Sequence, residues 1–69
     1  MKTTARNQFA GIVRHVDIGP VSAQVTLALK SGDEIVAALT TEAARRLDVR
    51  EGADALALIK ASAIVLVTD

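Results

Sequence analysis

Three short polar segments carry most of the side chains that could do chemistry. They are Thr3-Thr4-Ala5-Arg6-Asn7-Gln8 near the start of the chain, Thr40-Thr41 in its middle and Lys60-Ala61-Ser62 near its end. Each segment offers hydroxyl, backbone N–H or cationic donors and contains no carboxylate. Such a set suits a tetrahedral oxyanion, whose oxygen atoms each accept one or two hydrogen bonds, and offers a metal cation no ligands. The segments therefore indicate anion binding, unless Thr4 and Thr40 are ordinary caps and Lys60 is a solvated residue at a strand end.

The sequence offers no obvious set of catalytic groups. His15 is the only imidazole, and its place at the end of a strand is typical of a surface or interface residue. Ser22 has no His or Lys nearby in the sequence that would activate it as a nucleophile, and no pair of carboxylates is suggestively spaced. The absence of Cys removes a disulfide framework, and a single His makes a structural metal improbable. We therefore expect neither an enzyme nor a resident cofactor or metal.

Alternating apolar residues predict that β-strands position these polar segments. The predicted strands are about Gln8–His15, Val21–Leu29, Glu34–Thr40, Ala53–Lys60 and Ser62–Thr68. The second and third form a hairpin, because Ser31-Gly32-Asp33 supplies a tight turn between them. A short helix is predicted at Thr41–Leu47, with a threonine as its cap, Glu42 in its first turn and two arginines in its last.

The last two predicted strands are apolar on both faces. A five-stranded sheet in a 69-residue monomer cannot easily cover both faces of two adjacent strands, so a partner subunit should cover one of them. A chain of this size also buries only about 60% of its surface on folding. Without disulfides or a metal, self-association is the remaining source of stability. We therefore expect a single domain over residues 1–69 that forms an oligomer.

The charge balance and the hydrophobic pattern limit the possible partners. Eight Lys and Arg balance eight Asp and Glu, so the formal net charge is zero and the field that drives binding to nucleic acid or anionic lipid is missing. The longest apolar run, Ala55–Ile59, is far shorter than the roughly 20 residues that span a bilayer. The N-terminus has no apolar segment typical of a signal peptide. We expect no nucleic-acid partner, no membrane segment and a cytoplasmic location.

Four segments and their spacing are shared with a known family. They are Thr4-Ala5-Arg6-Asn7-Gln8 before an apolar strand, Ile18-Gly19-Pro20-Val21-Ser22-Ala23, Ala38-Leu39-Thr40 before a short helix, and Glu51-Gly52 followed by Ile59-Lys60-Ala61-Ser62. Over nearly all 69 residues the chain resembles the molbindins, single-domain molybdate-binding proteins of the Mop or TOBE type. The resemblance implies an all-β fold, a five-stranded OB-like barrel with one short helix. It also implies strand exchange between the subunits of a dimer, and three such dimers assembled into a hexamer.

The resemblance also implies which residues hold the anion. One kind of site, at subunit interfaces, would use Thr4, Arg6, Thr40, Lys60, Ala61 and Ser62, with Ala61 contributing only its backbone N–H. Thr4 stands where the family usually has Ser, which keeps the hydroxyl group. A second kind of site is expected at the turn, where the candidate residues are Gly19, Val21, Ser22 and Ala23. Main-chain donors matter at that turn, and Pro20 removes one of them.

The implied function is reversible, non-catalytic binding of molybdate or tungstate for intracellular molybdenum storage or homeostasis. In this function the oxyanion is the ligand, and the partner is a further copy of the chain. Two alternatives remain: a small barrel that binds nucleic acid, and a strand-exchanged regulatory domain that acts on another protein. The zero net charge and the single aromatic residue, Phe9, disfavour nucleic-acid binding, which in such barrels relies on several stacking rings and a basic groove.

Overall fold

The computed structural model describes residues 3–69 and shows four strands and one short helix; residues 1 and 2, which belong to the expected domain, lie outside the described residues. The elements are β1 (Asn7–Ile18), β2 (Ser22–Leu29), β3 (Glu34–Thr40), α1 (Thr41–Arg46) and β4 (Asp54–Ile59), followed by a single 3₁₀ turn at Ala61–Ala63. The strands form one antiparallel sheet in the order β3-β2-β1-β4. The predicted hairpin of β2 and β3 is confirmed, with Ser22 opposite Thr40 and Ala28 opposite Glu34.

The longest strand, β1, has a different neighbour along each half. Its first half, Asn7–Ile12, pairs with β4, and its second half, from Gly11 to Ile18, pairs with β2. A β-bulge lies within the half that pairs with β2, since Val13 pairs with Leu27 and His15 with Thr26, which leaves Arg14 as an extra residue. Bulges bend a strand and increase its twist. The bend bows β1 where it runs along β2 and contributes to the curl of the sheet.

One face of the curled sheet forms a small core. Its buried apolar side chains are those of Val13, Val25 and Leu27, and residues of every strand pack around them. The alternation predicted for β2 is confirmed, because Ala23, Val25 and Leu27 are buried while Ser22 and Gln24 are exposed. The opposite face remains open in the single chain.

Gly11 marks a close approach of β1 to β2. It pairs with Leu29 of β2 on one side and with Ala55 of β4 on the other. A Cβ atom built at this position would lie 2.5 Å from the carbonyl oxygen of Ala28 and 2.9 Å from Cγ of Leu27. Because the nearer of these atoms belongs to the backbone, no rotamer change could relieve the overlap.

The predicted helix is confirmed, with both ends capped. Thr40 is the N-cap, and its Oγ1 accepts a hydrogen bond of 3.0 Å from the backbone N–H of Ala43. At the other end Asp48 has a φ of 55°, its N–H donates to Arg45 O, and the N–H of Val49 donates to Ala44 O. This pattern is a Schellman motif, which ends the helix after two turns. None of the helices within residues 3–69 has the length and apolar character that a membrane crossing would need.

The expectation of five strands is not met, because the described residues form four. The predicted last strand, Ser62–Thr68, is absent from the sheet. The chain instead turns at Ala61–Ala63, where Ala63 N donates to Lys60 O and Ile64 N to Ala61 O, and it leaves the sheet at this turn. Val65, Leu66 and Val67 are then 84–88% exposed. An apolar strand sequence is present, but residues 3–69 of its own chain provide no partner strand for it.

We expect Gly11→Ala to lower the free energy of unfolding by about 2–3 kcal/mol, because the added methyl group overlaps backbone atoms. The matched control is Gly32→Ala, where nothing lies within 4 Å and only the φ of +94° opposes a side chain. That variant should lose about 1 kcal/mol. Urea denaturation of both variants measures the difference. A Gly11→Ala protein as stable as the parent would contradict the close approach described above.

Candidate oxyanion site

The first and third polar segments meet at one end of the sheet. Asn7, the first residue of β1, pairs with Ile59, the last residue of β4, and Asn7 Nδ2 also donates to the Ile59 carbonyl at 3.2 Å. This pairing fixes the strand ends that carry Thr4 and Arg6 on one side and Lys60 and Ser62 on the other. We call this group of four residues, together with Ala61, the terminal cluster. All five residues are exposed in the single chain.

Local hydrogen bonds hold both segments of the terminal cluster in place. Ala5 N donates to Thr3 Oγ1 at 3.0 Å, and Gln8 Nε2 donates to Ala5 O at 3.3 Å. In the other segment, the first backbone N–H that donates a hydrogen bond within the 3₁₀ turn is that of Ala63, and its acceptor is Lys60 O. The N–H groups of Ala61 and Ser62 precede that donor, and the first N–H groups of a helical turn have no acceptor within it. They are therefore suited to an external acceptor.

Thr40 lies at the other end of the sheet. It ends β3 and pairs with Ser22, the first residue of β2. The next residue, Thr41, donates from its backbone N–H to Val21 O at 2.8 Å and from Oγ1 to Gly19 O at 2.6 Å. The structure therefore places Thr40 beside the residues predicted for the second site, and we call Gly19–Ala23 the turn segment.

The length of β1 separates the terminal cluster from Thr40. The strand has 12 residues, which at about 3.3 Å per residue gives a path of roughly 40 Å between its ends. The resemblance implied one kind of site, at subunit interfaces, that uses Thr4, Arg6, Thr40, Lys60, Ala61 and Ser62. One chain brings five of these residues to the same end of the sheet and holds Thr40 at the opposite end.

Thr40 has a hydroxyl proton to offer. Its oxygen accepts the Ala43 N–H as the helix cap, and an accepting hydroxyl group can still donate its own proton. The residue is exposed in the single chain. Thr40 therefore serves as a cap, as the alternative interpretation of the sequence held, and keeps a donor for a ligand.

A shallow cavity of about 380 Å³ adjoins the turn segment. It is lined by Asp17, Gly19, Ser22, Ala23, Gln24 and Ala38. Asp17 and Gln24 pair across β1 and β2, and neither is among the residues that the sequence and the resemblance indicate for a site. Their positions opposite each other follow from strand register, which the alternation of apolar residues alone does not supply. Val21, which the resemblance does indicate, does not line the cavity and is 77% exposed.

Three features of the turn segment and the cavity beside it oppose the binding of a dianion. The N–H of Gly19 already donates to Ser22 O at 2.9 Å, and Pro20 has no N–H. The carboxyl group of Asp17 adds a like charge to any anion in the cavity. The terminal cluster instead contains two cationic side chains, those of Arg6 and Lys60. The ion pairs among the described residues are those of Arg14 with Glu34 and of Arg50 with Asp48. Neither Arg6 nor Lys60 forms an ion pair there.

Comparison with known proteins identifies the family. The TOBE domain model matches residues 3–66. The molybdenum transport protein ModE of Herbaspirillum seropedicae is 59% identical over 69 residues, which is all of this chain and 26% of ModE, so the chain spans about a quarter of that relative. Among solved structures, an apo form of MopII from Clostridium pasteurianum has a TM-score of 0.91 at 30% identity, covering 97% of this chain and all of MopII.

A second solved structure shows a relative with its ligand. The cytoplasmic molybdate-binding protein ModG, in a form with molybdate bound, has a TM-score of 0.84 at 44% identity, covering 88% of this chain and 43% of ModG. The chain belongs to the TOBE domain family. The resemblance to Mop-type proteins that the four sequence segments indicated is therefore confirmed.

We expect Thr40→Val to lower the free energy of unfolding of the ligand-free protein by about 1 kcal/mol, because the helix loses its N-cap acceptor. Thr40→Ser keeps the oxygen atom and should stay within a few tenths of a kcal/mol of the parent. Chemical denaturation without added oxyanion measures both values. Equal stability of the Val and Ser variants would show that the cap does not stabilise the helix.

Proposed function

We propose that this protein is a non-catalytic oxyanion carrier that binds molybdate or tungstate between the subunits of a homo-oligomer. Its role would be molybdenum storage or homeostasis in the cytoplasm. The observation that carries the proposal is the division of the donors between two ends of one sheet. Relatives named for molybdenum transport and a solved molybdate-bound relative supply the ligand class.

The division of donors favours a shared site. The terminal cluster has cations and hydroxyl groups but lacks Thr40, which a path of roughly 40 Å along β1 separates from it. A second copy that places its Thr40 against the terminal cluster would complete the set. Each contact between two copies would then create anion sites, and ligand binding and assembly would stabilise each other.

The roles of the donors follow from their chemistry. Lys60 provides a compact, mobile positive charge that offsets part of the charge of the dianion, and Arg6 provides planar, fixed donors. Thr4, Thr40 and Ser62 donate hydroxyl protons, and Ala61 donates its backbone N–H. A pocket of fixed donors distinguishes tetrahedral anions mainly by size, which favours molybdate or tungstate over sulfate.

The exposed apolar surface supports self-association. Val65, Leu66 and Val67 extend beyond the sheet without a partner strand, and Ile12 and Leu56 are about half exposed on the open face. A groove of about 630 Å³ runs between β1, β2 and β4 with mainly apolar residues in its walls. Isolated strands and exposed patches of this kind pair with further copies. We propose that the C-terminal segment is exchanged within a dimer and that three dimers form a hexamer.

The turn segment would form the weaker site. It belongs to the proposal because the cavity beside it includes Ser22 and Ala23. The engaged N–H of Gly19, the missing N–H of Pro20 and the carboxyl group of Asp17 leave fewer favourable contacts there than at the terminal cluster. Two classes of affinity should result.

A second candidate is an oxyanion-sensing module of a regulator. The 59% identity to ModE of Herbaspirillum seropedicae favours it, and a ModE relative from Yersinia pestis carries the name transcriptional regulator. The same anion site would then transmit occupancy to an attached or associated domain. Salt-dependent retention of DNA by this chain alone would support direct nucleic-acid binding, which its zero formal net charge opposes.

We expect molybdate to raise the melting temperature of the protein. At a hundredfold excess over the dissociation constant, each site adds about 2.7 kcal/mol of stability. The double variant Lys60→Ala, Ser62→Ala should lose the shift, whereas Arg50→Ala, Ser31→Ala, which also removes one cation and one serine hydroxyl group but away from the proposed sites and the groove, should keep it. Differential scanning calorimetry with molybdate, tungstate and sulfate tests the proposal, and an equal shift with sulfate would contradict the proposed selectivity.

The shared site can be tested by mixing two defective variants. Lys60→Ala and Thr40→Val should each bind molybdate poorly alone. If every site takes Lys60 from one chain and Thr40 from another, unfolding and refolding an equal mixture should restore about a quarter of the sites, those that join the two intact residues. Isothermal titration calorimetry counts these sites. The same mixture without refolding is the control, and no recovery after refolding would contradict a site shared between subunits.

A further inference from the structure

Thr41 is a buried polar residue that ties two functional segments together. It is 5% exposed and is the single buried polar or charged side chain among residues 3–69. Burying a hydroxyl group is unfavourable unless the group is hydrogen-bonded, and Thr41 Oγ1 meets this condition by donating to Gly19 O at 2.6 Å. The bond joins the start of α1 to a turn 22 residues earlier in the chain.

Thr41 also fixes the direction of a peptide group in the turn segment. Its N–H donates to Val21 O at 2.8 Å. In a trans peptide bond the C=O and the following N–H point in opposite directions, so this bond determines where the N–H of Ser22 points. With Gly19 N bonded to Ser22 O, the turn is held on both sides. The donors of the turn segment therefore depend on the position of Thr41.

The residue before Thr41 belongs to the other proposed site. Thr40 offers its hydroxyl proton to the anion held by a neighbouring terminal cluster, and its backbone continues directly into Thr41. A shift of Thr40 on ligand binding would be passed to Thr41 through the peptide group that joins them. The two hydrogen bonds of Thr41 would then pass it to the turn segment. Because both bonds are short and the one from the hydroxyl group is partly buried, the two segments cannot move independently without breaking them.

We propose that Thr41 is a positioning residue that couples the two classes of oxyanion site. An anion bound at Thr40 holds the β3–α1 junction in place, and the Thr41 hydroxyl group then holds the turn segment in its binding geometry. The proposal rests on the proposed function, since it concerns tetrahedral dianions at the same two sites. Thr41 itself does not touch the anion.

The matched variants are Thr41→Val, which removes the hydroxyl group and keeps the shape, and Thr41→Ser, which keeps the hydroxyl group. Isothermal titration with molybdate should resolve two classes of site in the parent. Thr41→Val should weaken the turn-segment class about tenfold, within the usual range of coupling between sites. Thr41→Ser should restore the parent affinity. A purely structural role would lower the melting temperature of Thr41→Val and leave the ratio of the two affinities unchanged.

A double-mutant cycle with Lys60→Ala isolates the coupling. Lys60→Ala removes the main cation of the first class, and in the parent background it should weaken the turn-segment class by about the same factor as Thr41→Val. In the Thr41→Val background it should have no further effect on that class. Independent, additive losses would overturn the proposal, and so would a parent protein with one class of site.

The cycle separates this inference from the proposed function. A parent protein that binds no molybdate would refute the proposed function. Two classes of site with parental affinities in Thr41→Val would refute the coupling alone. If Thr41→Val does not fold, the Lys60→Ala protein decides the question, because an unchanged turn-segment affinity in that variant would refute the coupling.

Discussion

The double pairing of β1 is the constraint on which the rest of the structure depends. Its first half bonds to β4 and its second half to β2, so the strand separates two groups of donors that lie at its two ends. A strand cannot be folded back on itself without losing its ladder of hydrogen bonds, and this rigidity keeps the terminal cluster away from Thr40. The proposed dependence of anion binding on assembly follows from this geometry and not from any special feature of one side chain.

The alternating residues of β2 and β3, the Ser31-Gly32-Asp33 turn and the threonine cap were enough to predict the hairpin and the helix, because each depends on neighbours in sequence. The position of Ser62–Thr68 outside the sheet could not be predicted in this way. Its apolar pattern is typical of a strand but does not say which strand, or which chain, would pair with it. The resemblance grouped Thr40 with the terminal cluster at an interface between subunits, which the pairing within one chain does not test. Only the pairing of strands shows that Thr40 is next to Ser22 and that Asp17 faces Gln24.

The hydrophobic core of the single chain contains few buried residues. The buried apolar residues among those described are Val13, Ala23, Val25, Leu27 and Ala44, and none of the larger side chains is fully buried. Much of the remaining apolar surface lies on the open face and in the C-terminal segment. The chain shares its backbone fold with MopII over the whole of that chain.

The extra residue at the bulge in β1 has a consequence for how such domains diversify. Without Arg14 the strand would keep its inward residues, because Val13, Val16 and Ile18 would then alternate regularly with His15 and Asp17. Losing this one residue would therefore spare the hydrophobic side of the strand and straighten its path. Deleting this one residue would change the angle between the two ends of the molecule while the interior stays the same. The symmetry of any ring of copies would change with that angle.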